Sequence, residues 1–318
     1  MVTMTGTGGS LPISLETADI ADLEAAVGVL RALDYRQGGG FCRDAVRVVK
    51  TASLLLHWGT VPGRLRARLH TVLADVHNLL GWTEFDIGHP VPARRRFERA
   101  LGLAAEAGND SLVANIRYRL GRVHLHHHDV PGALAEFARG RAAAGRSDSP
   151  RATAILAANE AWAFAMGGDE RTALTRLAEA ETAFTEAGRW PDPRPWEAFF
   201  AEADMAAMRG TVLTELAAGH RGEAIAELTA AARRYGPDMA RSRSLTLIML
   251  AQNHAGQGDL DAAARIGGEA VDLAATVGSV RPKDRLAPLE RLLLGHRGDP
   301  VVGTLPGRIA QYRSQPLN

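Results

Sequence analysis

Along most of the chain, apolar and small residues recur at helical spacing, and the same pattern returns at a fixed distance. A small turn residue followed five places later by alanine occurs as Gly88/Ala93, His128/Ala133, Gly168/Ala173, Gly219/Ala224 and Gly258/Ala263, and these alanines are 40, 40, 51 and 39 residues apart. Four residues beyond each alanine stands Phe97, Phe137, Leu177, Leu228 or Gly267, and seven beyond stands Ala100, Gly140, Ala180, Ala231 or Ala270. Residues at these offsets share one helix face, so each alanine marks a helix with a narrow stripe that lets neighbours approach closely. Another amphipathic helix precedes each turn, for example Leu73–Phe85, Val113–Leu125, Ala154–Met166 and Ser244–Ala255. Gly108, Gly145, Gly188, Gly236 and Gly278 are expected to end the second helices in a left-handed conformation.

The predicted unit is a pair of antiparallel helices around a short turn. One such pair cannot bury its apolar face, so stacking is obligatory. The expected fold is all-α, a right-handed α-solenoid of about five to six helical hairpins with a period near 40 residues. Asp19–Asp34, the Gly38-Gly39-Gly40 turn and Cys42–Leu56 read as an earlier, degenerate unit, and Lys283–Leu294 as a closing helix. Residues 1–17 read as a disordered tail, 18–296 as a single solenoid, and 297–318 as a C-terminal tail or capping segment with the Gly, Pro and polar runs of a frayed end.

Leu80-Gly81 with Ala93, Phe97 and Ala100, and Leu120-Gly121 with Ala133 and Phe137, resemble the tetratricopeptide repeat (TPR), with elongated hairpins in place of the usual unit of about 34 residues. Ala161, Val212 and Ala251 stand where the other units would place that glycine. Leu33-Asp34 with Gly38-Gly39-Gly40, the segment from Gly81 to Asp110, and Arg194–Met205 are similar to the regulatory halves of bacterial helix-turn-helix/TPR transcriptional regulators, over roughly residues 18–295. Such regulators carry an N-terminal DNA-binding domain, for which the Gly/Thr-rich opening is too short. The resemblance therefore implies the sensing part alone, without the family's DNA-binding role.

Composition narrows the function. Of 318 residues, 46% are hydrophobic and only 5% aromatic, and 37 basic residues nearly cancel 36 acidic ones to a formal +1. No global field steers the molecule to nucleic acid or an acidic membrane, and direct nucleic-acid binding is not expected. The single cysteine, Cys42, excludes an intrachain disulfide and a multi-cysteine zinc site, and reads as a small core residue. With no secretory pattern at the start and no long apolar run, the expected location is cytoplasmic, away from membranes.

No nucleotide-binding, nucleophile-elbow or Glu-x-x-His motif is present, so no catalytic residue, cofactor or metal is assigned. His124, His126, His127 and His128 include a pair at metal-ligand spacing, but the run falls at a turn and reads as solvated. Arg94, Arg95, Arg96 and Arg99 read as an outer helix face diluted by Glu98 and Glu106.

The concave face is the functional candidate, because first helices line the groove of a solenoid. It offers Asn78, Trp82, Asn115, Tyr118, Arg122, Asn159 and Trp162 at helical spacing. Asparagine amides can both donate to and accept from a peptide backbone, and the aromatics add rigid apolar area. The proline-rich insertion Trp190–Trp196 would bring Trp196 over the groove as a lid. The expected activity is binding of a peptide, small molecule or protein partner in the regulation of transcription or specialised metabolism. Homodimerisation and an enzyme or metal-dependent accessory role in the same groove remain open alternatives.

Overall fold

Short polar caps and left-handed turn residues divide the chain into helices at almost constant intervals. The structure, a computed structural model, describes residues 13–14, 16–42, 59–189, 192–216 and 218–317; Trp58 and Trp190 lie outside them, as do residues 43–56 of the predicted first unit. Thirteen α-helices run through the described residues: α1 Thr17–Gln37, α2 Gly63–Asp86, α3 Pro90–Glu106, α4 Asp110–His126, α5 Val130–Ser147, α6 Pro150–Met166, α7 Glu170–Ala187, α8 Glu202–Glu215, α9 Arg221–Arg234, α10 Ala240–Gln257, α11 Leu260–Ala274, α12 Arg281–Leu294 and α13 Leu305–Ser314. The pairs α2/α3, α4/α5, α6/α7, α8/α9 and α10/α11 pack most closely. A two-residue parallel pairing of Ile13–Ser14 with Gly59–Thr60 is the extended structure among the described residues.

The interval has a local cause. Asn109, Asp129, Ser149 and Asp169 each accept a hydrogen bond from the backbone N–H three residues on, closing the exposed start of a helix. Just before each cap, Gly108, His128, Asp148 and Gly168 take positive φ and reverse the chain. Asp148, at φ 48°, therefore does the work expected of Gly145, which lies inside α5. Gly188 and Gly236 also keep negative φ, −64° and −76°, and Gly278 does not take positive φ either, so of the five glycines expected to turn left-handed Gly108 alone does. His128, at φ 58°, belongs to this turn series, which accounts for the end of the histidine run.

The small stripe is buried throughout: Ala93, Ala133, Ala173, Ala224 and Ala263 have no exposed surface, and Phe97, Phe137 and Leu228 have none. A Cβ on Gly121 would lie 2.1 Å from the Phe137 ring, and one on Gly81 would lie 2.8 Å from Phe97. In the fourth hairpin it is Gly210, not Val212, that faces its partner, with a virtual Cβ 2.6 Å from Leu228. The turn between α8 and α9 is two residues longer than that between α2 and α3, which shifts the register by two. The extra length of the 51-residue step lies in the connection from α7 to α8. Residues 305–314 form α13 because Leu305, Ile309 and Tyr312 bury one helical face, so the C-terminal segment is more ordered than its composition implies.

First helices also touch in succession, α2 to α4 to α6 to α8 to α10, and α1 contacts both α2 and α10. That circuit is closed by charge. Arg241 on α10 donates to Asp34 of α1 through both terminal nitrogens, at 3.2 and 3.0 Å, and to Asp86 of α2 at 2.9 Å. Asp34 and Asp86 have no exposed surface. Asp86 also accepts from Ser279 Oγ and the Gly39 N–H, each at 2.9 Å. Gly39 fits only because it lacks a Cβ, which would stand 2.8 Å from the Thr83 carbonyl.

Two stability outcomes follow. Gly121→Ala is expected to destabilise by about 1–3 kcal/mol through overpacking against Phe137, whereas Gly102→Ala, on an open helix surface, stabilises by about 0.5–1 kcal/mol; urea unfolding reads both signs. Arg241→Met takes the bidentate cation from buried Asp34 and one of two cations from buried Asp86 and costs about 3–5 kcal/mol, while Arg68→Met, which loses an exposed pair with Glu24, changes stability by less than about 1 kcal/mol in the same measurement.

Candidate functional site

The closed circuit of first helices surrounds a cavity of about 1160 Å³, its open mouth included. Helical periodicity aims the wall residues: Tyr35 comes from α1, Trp82 and Phe85 from α2, Tyr118, Arg119 and Arg122 from α4, and Asn159 and Trp162 from α6. Trp82, Arg122 and Trp162 stand 40 residues apart and are the same position of successive hairpins. The wall continues through Asp204 and Met208 of α8, Arg241 and Met249 of α10, and Arg281 and Arg285 of α12.

Guanidinium and indole groups are interleaved here. Arg122 and Arg285 each lie 4.7 Å from the Trp162 ring centre, and Arg119 and Arg281 lie 5.3 and 5.0 Å from that of Trp82. Arginine stacked on a partly desolvated indole gains from the ring's negative face. Trp162 is further oriented by its Nε1–H, which donates to Glu215 at 3.2 Å. Burial, then repulsion from Arg122 and Arg241 only partly offset by Asp86, pushes the Arg281 guanidinium down to about 9, so it remains cationic at neutral pH.

At another part of the wall, Phe199 stacks with Tyr118 at 5.9 Å and an interplanar angle of 18°, and lies 6.2 Å from Tyr35. The Tyr235 hydroxyl donates to Asp204 at 3.0 Å. Desolvation pushes the Asp204 carboxyl up to about 7, against the opposing pull of the Ala201 N–H and the Tyr235 hydroxyl.

Of the residues singled out from sequence, Trp82, Tyr118, Arg122, Asn159 and Trp162 meet at this cavity, whereas Asn78, Asn115 and Trp196 do not. The asparagines serve the fold. Asn78 Nδ2 donates to Asn115 Oδ1 at 2.9 Å, Asn115 Nδ2 donates to the Trp196 carbonyl at 2.9 Å, and Asn159 Nδ2 donates to the Ile155 carbonyl at 2.7 Å. Asn78 and Asn115 thus bond to each other and to the insertion away from the cavity, whereas Asn159 bonds back into α6 and accepts from Arg122 at 3.3 Å on the cavity wall. Trp196 is 7% exposed, and its Nε1–H donates to Ser111 Oγ at 2.9 Å. It anchors the insertion to α4 instead of covering Trp162; Phe199 and Phe200, which follow the insertion, reach the cavity. Buried Glu197 holds the same segment by accepting from Ser149 Oγ at 2.9 Å and from Ser111 Oγ.

Sequence reading missed Arg119, Arg241, Arg281 and Arg285. Arg281 and Arg285 are four residues apart on a helix read as a cap, and their spacing was the available clue. In the histidine run, His124 pairs with Asp129 at 2.7 Å and His126 with Asp284 at 3.0 Å. Among the described residues no group of three or more His, Cys, Asp and Glu side chains could hold a metal ion. Arg94, Arg95 and Arg99 are exposed on α3, outside the cavity. Among the described residues, no helix is long and apolar enough to cross a membrane.

In comparisons with known proteins, no family model matches the chain and no curated protein matches it.

The Asp204 environment has a pH signature. Its carboxyl holds a proton in the folded chain up to about pH 7, whereas the ordinary value is 3.8. Between these values the folded state binds more protons, so the stability this group confers is full below the lower value, falls as pH rises, and levels off above the higher. Asp204→Asn is expected to flatten that fall in a series of thermal melts across this range.

Proposed function

We propose that the chain is a TPR-like binding protein, a right-handed solenoid of about five to six hairpins whose central cavity holds a small molecule, and that it acts as a sensor in the regulation of transcription or specialised metabolism. The observation that carries this reading is the convergence of aromatic and polar side chains from seven successive first helices, α1 to α12, on one cavity. A site with mixed apolar walls and a few placed polar groups is the usual form of a small-molecule pocket. The bond from α10 to α1 and α2 favours a compact ligand over an extended peptide, because it bounds the space that a peptide would need to run through.

The sensing step follows from the same geometry. A ligand in the cavity touches helices from both ends of the array at once, so it stabilises the closed arrangement in proportion to its preference for that state over a looser one. A change in curvature or in self-association then reports occupancy.

Native mass spectrometry of the full chain, purified gently, is expected to find a retained small molecule. Ala207→Phe, which places a ring in the cavity from α8, is expected to lose that mass while keeping its thermal melting point within a few degrees. Equal retention by this variant would overturn the assignment of the site.

A further inference from the structure

The chemistry of the cavity wall specifies a ligand class, an inference that rests on the binding role proposed above. The decisive feature is a local imbalance of charge. Arg241 is matched by Asp34 and Asp86, and Arg281 reaches the same Asp86 at 3.5 Å. Arg285 has Glu215 at 3.7 Å. Arg119 and Arg122 have no carboxylate within ion-pair distance among the described residues; they donate instead to the Asn78 carbonyl at 2.8 Å and to Asn159 Oδ1 at 3.3 Å. More guanidinium than carboxylate therefore faces this space.

Part of the excess lies at one end. Glu215, beside Trp162 and Arg285, is the last residue of α8, while Asp204 lies in its first turn, about 16 Å away along the axis at 1.5 Å per residue. Arg122, Arg285 and Trp162 gather at the Glu215 end, Arg119 lies over Trp82, and Tyr35, Tyr118 and Phe199 form the aromatic group of the wall. Helix carbonyls at the basic end supply little counter-charge, because the turns after α2 and α4 already bond them: the Gly88 N–H donates to Phe85 and the His127 N–H to His124.

We propose that the cavity selects an aromatic organic anion, its carboxylate, sulfonate or phosphate received by Arg122, Arg281 and Arg285 and its ring system lying along the aromatic wall. An anion there supplies the missing counter-charge inside a partly desolvated site, where charge-assisted hydrogen bonds are strongest. It also relieves the mutual repulsion of Arg122 with Arg281 and Arg285. A neutral ring compound gains only the apolar contacts. An aliphatic anion gains only the charge.

Two dyes with one skeleton separate these terms: 8-anilinonaphthalene-1-sulfonate, and N-phenyl-1-naphthylamine, which lacks the sulfonate. Fluorescence titration of the full chain is expected to give the sulfonate at least about tenfold higher affinity. Arg122→Gln, which deprives no carboxylate of a partner, is expected to weaken the sulfonate about tenfold and leave the neutral dye within about twofold. Arg122→Lys retains the charge and should keep most of the preference, and melting curves confirm that both variants fold. Equal affinity for the two dyes, both lost in Ala207→Phe, overturns anion selection while the cavity remains a binding site. A sulfonate affinity indifferent to Arg122→Gln and to Arg285→Gln also overturns it. Binding of neither dye overturns the anion proposal and the small-molecule reading on which it rests.

Discussion

A single buried carboxylate, that of Asp86, is the point through which the distant parts of this chain are joined. It ends α2, has no exposed surface, and gathers Arg241 from α10, Arg281 from α12, the Ser279 hydroxyl and the Gly39 backbone. Burial alone disfavours its charge, but the two arginines and the two hydrogen bonds more than offset this and hold its carboxyl below the usual range. A charge so placed is tolerable only while all its partners are present. Two of those partners, Arg241 and Arg281, also form the cavity wall. The group that joins the ends of the array thus sets the shape and charge of the space between them.

The contrast between inner and outer arginines gives that space its character. On the outside, Arg209 is surrounded by Glu181, Glu223 and Glu227, and Arg141 by Glu160 and Glu179. In such clusters carboxylates outnumber the guanidinium they surround, and the partly solvated pairs contribute modestly. Inside, Arg119 and Arg122 lie against indole rings and bond only to neutral oxygens. The near-zero net charge of the whole chain conceals this segregation, because the acidic residues that balance the sum lie elsewhere.

Much of the helical plan was legible because its causes are local. The buried alanine stripe, the phenylalanines opposite Gly81 and Gly121, and the constant interval all follow from residues within one or two helices of each other. Legibility failed where the cause was distant or where another residue took a familiar role. Asp148 turned the chain in place of a glycine, and a longer turn moved the fourth contact from Val212 to Gly210. At the cavity, Trp82, Arg122 and Trp162 were visible through their helical spacing on the first helices. Arg241 and Arg281 were not, since their meaning depends on α10 and α12 returning to α2. The asparagines were singled out for their capacity to donate and accept together, but they direct it at a neighbouring amide and at backbone carbonyls of the fold.

The junction of α1 with both α2 and α10 bears on how such a chain can come apart. An open row of hairpins has two exposed termini and can unzip from either, each unit leaving its neighbour's face bare. Around a loop of contacts, parting any one seam leaves the same two helices connected by the longer way round, at a high effective concentration for rejoining. Detaching a helix of that loop therefore needs two seams open together. The loop trades the graded fraying of a row for a threshold, below which local openings heal.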